Sequence, residues 1–420
     1  MVKDPSTRTR YLTWLVVLSI LLLAALGAWV YELIFGLGAT GMRDVISWGL
    51  YILSFAFFVK LSAGGLIVAS SAEVFGIKGL KPLAKLGVLT AAVCVLVAGV
   101  SILPDLGRPD RLLNLFIYAH WSSPMIWDIT IITLYFLLAV AELWLMSAKM
   151  PEAKRARGLK WAAGIGLPAA FALHSITAWI FGLQISRPFW NTALMAPLFV
   201  VSAILSGTAL VSLILWILQR VDALVVRGET WRKLSGLMAV SLAIDLFFVL
   251  SDYLTVLWDG VPKDLQVLST LLPGGGYQLF FWLEWVIGGA IPLLFLILPS
   301  LRRRVGLIAA SAVLILVGVY AYQVELVVAG MANPLIQLPP GISLGTYVPG
   351  ESVFQLVGHY TPTWVELTIL LGLLALIALL VTLGYRYLSI KASLTEATPE
   401  AGDRLDTDGA RRRIVRGEAT

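Results

Sequence analysis

The chain has 420 residues, 59% of them apolar and 13% charged, with a mean hydropathy of +0.88 and a formal net charge of +6. That composition excludes a soluble globular surface. It also argues against nucleic-acid binding, because the basic residues are sorted into alternate loops, where insertion beside anionic lipid wants them.

In chain order, apolar runs occupy 12–35, 46–72, 82–104, 124–148, 159–183, 194–219, 234–258, 279–298, 304–326 and 364–388. Each reaches the roughly 20 residues a helix needs to cross a bilayer, so the expected fold is an all-α integral membrane protein with about ten transmembrane helices. Lys and Arg fill the N-terminus, the C-terminal segment and the loops after even-numbered spans, whereas the other loops hold only Arg43, Arg108, Arg111, Arg187 and Lys263. The positive-inside rule then predicts a multi-pass protein of the cytoplasmic membrane with both termini cytoplasmic. The loops at 105–123, 184–193, 259–278 and 327–363 face outward. The opening Lys3, Arg8 and Arg10 before 12–35 resemble a signal peptide, but the run is too long and has no clear small-residue cleavage site, so it reads as a retained helix. From 391 to 420 the composition is polar and charged and predicts a disordered cytoplasmic tail.

The second span carries Lys60, then the small-residue patch Leu61-Ser62-Ala63-Gly64-Gly65. Between the third and fourth spans runs Asp105-Leu-Gly-Arg108-Pro-Asp-Arg111, then His120-Trp121-Ser-Ser-Pro124-Met-Ile-Trp127-Asp128. Gly107 and Pro109 set a turn, the two arginines supply forked donors, and Pro124 suits the first turn of a helix. Around the fifth and sixth spans lie His174-Ser175-Ile-Thr177-Ala-Trp179, Arg187-Pro188-Phe-Trp190-Asn191 and Ser202-Ala-Ile-Leu-Ser206-Gly207. Glu32, Asp128, Asp252, Glu284, Glu325 and Glu366 all fall in the outer third of their spans, and ionisable groups at such depth tend to line cavities or proton routes. For Asp128, Glu284 and Glu366, capping a helix N-terminus is an equal reading. At about 1.5 Å per residue, Lys60 and Asp245 share a depth near the centre of a core of about 30 Å, which predicts that both face the interior and pair directly or through water and other polar groups; a snorkelling Lys60 and a protonated Asp245 are an equal reading. A weak internal similarity, Phe57 to Gly65 against Phe199 to Gly207 and Trp127-Asp128 against Trp282-Leu-Glu284, predicts two four-helix bundles at about 46–183 and 194–326, flanked by 12–35 and 364–388.

One cysteine, Cys94, and three histidines, His120, His174 and His359, provide neither the four thiolates of an iron–sulfur cluster nor two facing intramembrane imidazoles for a haem. If electrons move through this protein, the metal centres are a partner's.

The stretches Asp105-Leu-Gly-Arg-Pro-Asp-Arg111, Ser123-Pro-Met-Ile-Trp127, Phe57-Phe58 leading into Leu-Ser-Ala-Gly-Gly, and Arg187-Pro-x-Trp190 leading into Ser-Ala-x-x-Ser-Gly together resemble the membrane subunits of the polysulfide reductase and formate-dependent nitrite reductase family (PsrC/NrfD-like). The motifs cover roughly 46–210, and hydropathy extends the likeness over the chain. The resemblance implies a quinone- or quinol-binding anchor for an extrinsic ferredoxin-like iron–sulfur subunit, itself usually joined to a molybdopterin catalytic subunit. The chain alone would then be non-catalytic and would hold no haem or cluster. One departure matters: short family members with a known quinone pocket carry Asn and His ahead of the Gly-Gly patch, where this chain has Ser54, Phe55 and Ala56.

Candidate quinone-binding and proton-transfer groups are His120 and Asp128, with His174 and Ser175 or Thr177 as a second polar edge, and Trp121 or Trp179 for ring packing. Arg108 and Arg111 are candidates for partner docking. Lys60, Asp245, Asp252 and Glu284 are candidates for a proton path. The alternative from another class is a secondary transporter, which ten spans, a repeat and buried charges also permit.

Overall fold

The computed structural model describes residues 5–74, 83–222, 226–333 and 358–388, with 390 and 394. The expected tail at 391–420 lies almost wholly outside the described residues, as does 334–357. Among the described residues ten helices are long and apolar enough to cross a membrane. They are α1 (Pro5–Phe35), α2 (Leu50–Val74), α3 (Ala84–Asp105), α4 (Pro124–Ser147), α5 (Glu152–Gly182), α6 (Met195–Asp222), α7 (Gly228–Asp259), α8 (Gln278–Ile297), α9 (Val305–Ala332) and α10 (Trp364–Tyr387). The protein is an all-helical multi-pass membrane protein.

Several helices run past the apolar stretches that signal them. α5 begins at Glu152, directly after Pro151, and α7 at Gly228. Hydropathy marks hydrocarbon, whereas Lys154, Arg155, Arg157 and Lys160 are good helix formers that continue the turns into water. α2 starts later than the apolar run, at Leu50, because Gly49 and the Leu50 backbone are held against the Tyr360 ring, whose hydroxyl accepts the Leu50 N–H at 2.7 Å. The loop expected at 259–278 contains a helix of its own, Pro262–Leu271, opened by Pro262 after α7 ends in left-handed Gly260 (φ 65°). It packs over Pro188–Trp190 and the end of α9.

α2 is the central post. Of its most apolar window 89% is buried, against 11% for α1, and it packs against α3, α5, α6, α9 and α10. In hydrocarbon no solvent force drives helices together, so close packing has to, and small residues make it possible. Gly64 of α2 meets Gly207 of α6 backbone to backbone, Gly65 of α2 meets Gly87 of α3, and Gly288 of α8 meets Gly318 of α9. Further contacts pair α4 with α5, α6 with α7 and with α9, and α7 with α8, while α1 and α10 pack on each other at the rim against α3. The chain alternates direction, so it has a basic end, which gathers the basic loops, and a carboxylate-rich end, which gathers Asp128, Asp252, Glu284, Glu325 and Glu366.

The crossings make a stability prediction. Gly64→Ala places a methyl group against the Gly207 backbone and loses about 1–3 kcal/mol through overpacking. Gly27→Ala in α1, where an added Cβ meets nothing within 4 Å, leaves stability unchanged or slightly raised. Thermal unfolding of the two purified variants in one detergent checks the contrast, and equal midpoints would contradict it.

Candidate functional site

The most unusual side chain is Lys60, with no exposed surface, in the middle of α2. Its Nζ makes no hydrogen bond and stands over two rings, 4.1 Å from the centroid of Phe199 on α6 and 4.8 Å from that of Tyr322 on α9. A desolvated cation over an aromatic face gains about 2 kcal/mol or more, less than the cost of an uncompensated charge at this depth. The remaining compensation comes through space from Asp245 on α7 and Glu284 on α8. Asp245 is itself 8% exposed and takes a hydrogen bond from Ser202 on α6. Lys60 and Asp245 therefore both face the interior, coupled by field rather than by a hydrogen-bonded ion pair.

Towards the carboxylate-rich end, two helices change their winding. α8 is π-helical over Leu283–Ala290 and α9 over Glu325–Ala329, and each π segment presents a glutamate to the interior. The Glu284 and Glu325 side chains are within hydrogen-bonding reach of each other, 5% and 1% exposed. Tyr253 of α7 donates its hydroxyl to Glu325 Oε2 at 2.6 Å. A π turn strands backbone groups, and π turns occur often at functional sites. Here the Arg187-Pro-Phe-Trp190-Asn191 motif meets the stranded carbonyls. Trp190 Nε1 donates to the Leu326 carbonyl at 2.7 Å, Arg187 to the Gly330 carbonyl at 3.2 Å, and the Arg187 guanidinium lies 5.1 Å over the Trp190 ring. Trp48 stacks on Trp190 at 5.7 Å, with Phe181 edge-on to both. A recess about the size of one water molecule opens beside the pair, lined in part by Asp252, Tyr253, Tyr322 and Glu325. Asp252 is held by Thr192 of the loop ahead of α6.

In the first half of the chain the candidates divide. Asp128, the fifth residue of α4 and 4% exposed, accepts the Thr177 hydroxyl of α5 at 2.6 Å. His174 lies one turn away on α5, but both its ring nitrogens face backbone carbonyls, Ala170 at 2.7 Å and Val59 of α2 at 3.0 Å. It thus ties α5 to α2. His120 is exposed on the loop and its Nδ1 pairs with Ser122 at 2.7 Å, whereas Asp128 is buried. Trp121 (65% exposed) and Trp179 (39%) both look outward near the Asp128 level, and the Trp121 carbonyl takes the Trp127 indole N–H at 2.6 Å. Arg108 forks onto Asp110 at 3.0 Å twice and pulls that carboxyl below the usual carboxylate range, while Arg111 is exposed beside it. Ser54, Phe55 and Ala56, which stand where the family pattern has Asn and His, are all buried in α2.

A further carboxylate cluster joins the rim helices. Tyr51 of α2 donates to Glu32 of α1 at 2.6 Å, and Tyr360 donates to Glu366 of α10 at 2.5 Å. Glu366 also accepts the backbone N–H groups of Thr363 and Gly41, completing a capping box at the start of α10, which is the structural role open to it from sequence. The tyrosines at both clusters, Tyr51, Tyr253, Tyr322 and Tyr360, gave no signal in sequence, since tyrosine near a span end is ordinary belt composition.

Comparison with known proteins gives the context for this geometry. A family model described as polysulphide reductase, NrfD, matches residues 38–334. A putative membrane subunit of dimethyl sulfoxide reductase from Halobacterium salinarum is 38% identical over 93% of this chain and 94% of its own. The Hdr-like menaquinol oxidoreductase integral membrane subunit of Archaeoglobus fulgidus is 27% identical over 87% and 90%. The integral membrane subunit of menaquinone reductase from Nitratidesulfovibrio vulgaris is 24% identical over 84% and 86%.

The field coupling at the centre is measurable. Lys60→Met leaves Asp245 and Glu284 without their cation, so the double variant Lys60→Met/Asp245→Asn is more stable than additive losses predict, by about 0.5–3 kcal/mol. A double-mutant cycle in denaturant measures this, and strict additivity would show that the two groups do not interact.

Proposed function

The chain belongs to the NrfD polysulphide reductase family, and we propose that it is the quinone-linked membrane anchor of a multi-subunit oxidoreductase. It exchanges electrons between the quinone pool and an extrinsic ferredoxin-like iron–sulfur subunit, itself joined to a molybdopterin catalytic subunit. The observation that carries this reading is the match to relatives named as membrane subunits of menaquinol and menaquinone oxidoreductases along most of their length. In this reading both termini are cytoplasmic and the carboxylate-rich end faces outward, which the distribution of basic loops supports. The helix contacts are consistent with two four-helix units, α2–α5 and α6–α9, joined through α2 and α6.

Quinone is the substrate, and its oxidation or reduction moves two electrons and two protons. The protein must supply hydrogen-bonding groups to the carbonyl oxygens and apolar walls to the ring. Asp128 with Thr177 offers a buried polar pair, and Trp121 and Trp179 offer ring faces on the lipid side of it. His120 on the loop above serves as a group that exchanges protons with solvent. His174 acts by holding α5 against α2, which sets where Thr177 stands. Lys60, Asp245, Asp252 and Glu284 form the proposed proton route. The transporter reading lacks a comparable observation.

Asp128→Asn keeps size and hydrogen bonding but removes proton exchange. Quinol-linked turnover falls on the order of 100-fold or more while the extrinsic subunits still react with an artificial dye; His120→Ala has the smaller effect of a surface relay. Loss of dye activity in parallel would point to assembly instead.

The second test concerns docking. Arg108→Ala with Arg111→Ala weakens retention of the iron–sulfur subunit on the membrane, read by copurification at increasing salt. Unchanged retention would remove these residues from the interface.

A further inference from the structure

The proton route has a feature that the functional reading does not require. Glu284 and Glu325 come from different helices, both from π segments, and their carboxyl groups meet. A carboxylate has no hydrogen to donate, so a hydrogen bond between two carboxyl groups demands a proton on one of them. No N–H or O–H group of the described residues donates to the buried Glu284 Oε2 and Glu325 Oε1, so a proton on one carboxyl is the donor the pair lacks. A buried oxygen without a donor is costly, and a shared proton removes that cost.

The surroundings are ordered by depth. At about 1.5 Å per residue from the ends of their helices, Tyr253, Glu284 and Glu325 lie roughly 9–10 Å in, Lys60 about 15 Å and Asp245 about 21 Å. On the shallow side, Asp252 and Tyr253 border the water-sized recess, and Glu325 lines it too. On the deep side stands Lys60, fully buried, with an ammonium that has no hydrogen bond and feels Glu284. Tyr322 spans the two, lining the recess and lying under the Lys60 ammonium. The titratable groups facing the pair are thus Lys60 from α2, Asp245, Asp252 and Tyr253 from α7, and Tyr322 from α9.

We infer that Glu284 and Glu325 are a proton-binding pair that holds one proton between them and passes it between the recess at Asp252 and Tyr253 and the Lys60–Asp245 centre. Only a proton moves. An O–H bond breaks at one carboxyl as an O–H bond forms on a water of the recess; towards the centre, the Lys60 ammonium first gives a proton to the Asp245 carboxylate, breaking an N–H and forming an O–H bond, and the neutral amine then takes the proton from the pair. The π segments give the pair its purpose-built geometry, because an α-helical register would rotate each glutamate by part of a turn, and the Trp190 and Arg187 bonds hold α9 in that register. The pairing also parallels Asp128 with Thr177 between α4 and α5, where the second carboxyl is replaced by a hydroxyl.

The transport part of this inference rests on the quinone-linked reading, whereas the shared proton does not. Infrared difference spectra of the full-length chain, wild type minus variant, in H₂O and D₂O, test the latter. Loss of the same single carboxylic C=O band in Glu284→Gln and in Glu325→Gln, with a band moved but kept in Tyr253→Phe, is the expected result. Absence of such a band, or two bands that disappear independently, overturns the pair. Circular dichroism and thermal midpoints confirm that each variant is folded, and Tyr253→Phe, which deletes one hydroxyl, retains a reading if a Gln variant is not. In the assembled complex in sealed vesicles, Glu284→Gln lowers the protons moved per quinol at least twofold, with dye-linked turnover kept. An unchanged ratio with the band lost overturns the transfer role, and a wild type with no quinol turnover overturns the quinone reading while the infrared result stands.

Discussion

An ammonium group fixed in a dry helical interior sets the terms for the second half of this molecule. Lys60 has no hydrogen bond, so its charge is answered by two ring faces and by carboxyl groups on helices that do not neighbour α2 in sequence. Satisfying it brings Phe199 of α6 and Tyr322 of α9 against the ammonium and sets Asp245 of α7 and Glu284 of α8 within reach of its field. The glycine crossing of Gly64 on Gly207 lies a single turn from Lys60 and brings α6 close enough for Phe199 to cover the charge. Packing and electrostatics are therefore one problem: the close approach permits the buried charge, and the buried charge gives direction to an approach that apolar contacts alone leave free.

The π segments follow from the same arrangement. Rewinding α8 and α9 where they face each other turns Glu284 and Glu325 inward but strands backbone carbonyls. A loop from the middle of the chain resolves this, through Trp190 on Leu326 and Arg187 on Gly330. The helix Pro262–Leu271 closes over the same loop. The Arg-Pro-x-Trp motif thus acts as a clamp on irregular backbone, which membrane interiors tolerate only when it is buried in protein.

The two halves handle polar groups differently. Around Asp128, Thr177 and His174, Asp128 Oδ1, the Thr177 hydroxyl and both His174 ring nitrogens have specific local partners, and the histidine is consumed in joining two helices. Around Lys60, Glu284 and Glu325, several buried atoms have none. Saturated hydrogen bonding holds its groups in one arrangement, whereas buried groups without partners keep a desolvation cost that the surrounding charges and rings offset.

By itself the sequence determined the ten spans, their alternation and the membrane class, because hydrocarbon imposes a length and a composition that any helix must meet and that can be read one residue at a time. It also singled out Lys60, Asp128, Asp245, Asp252 and Glu284, since charge in a span is conspicuous wherever it points, and it marked Arg187 and Trp190 without revealing what they hold. It missed where helices exceed the hydrocarbon, as in α5 and α7, because charged helix formers continue a helix without an apolar signal. Only the tertiary structure decided which charges meet: that His120 stays on the surface beside Ser122, that His174 binds backbone, that Glu325 joins Glu284, and that Tyr253 and Tyr322 line the recess. Those facts depend on helix rotation, on a π turn that shifts register and on contacts between residues such as Lys60 and Tyr322 that are far apart in the chain, and nothing local to either residue encodes them.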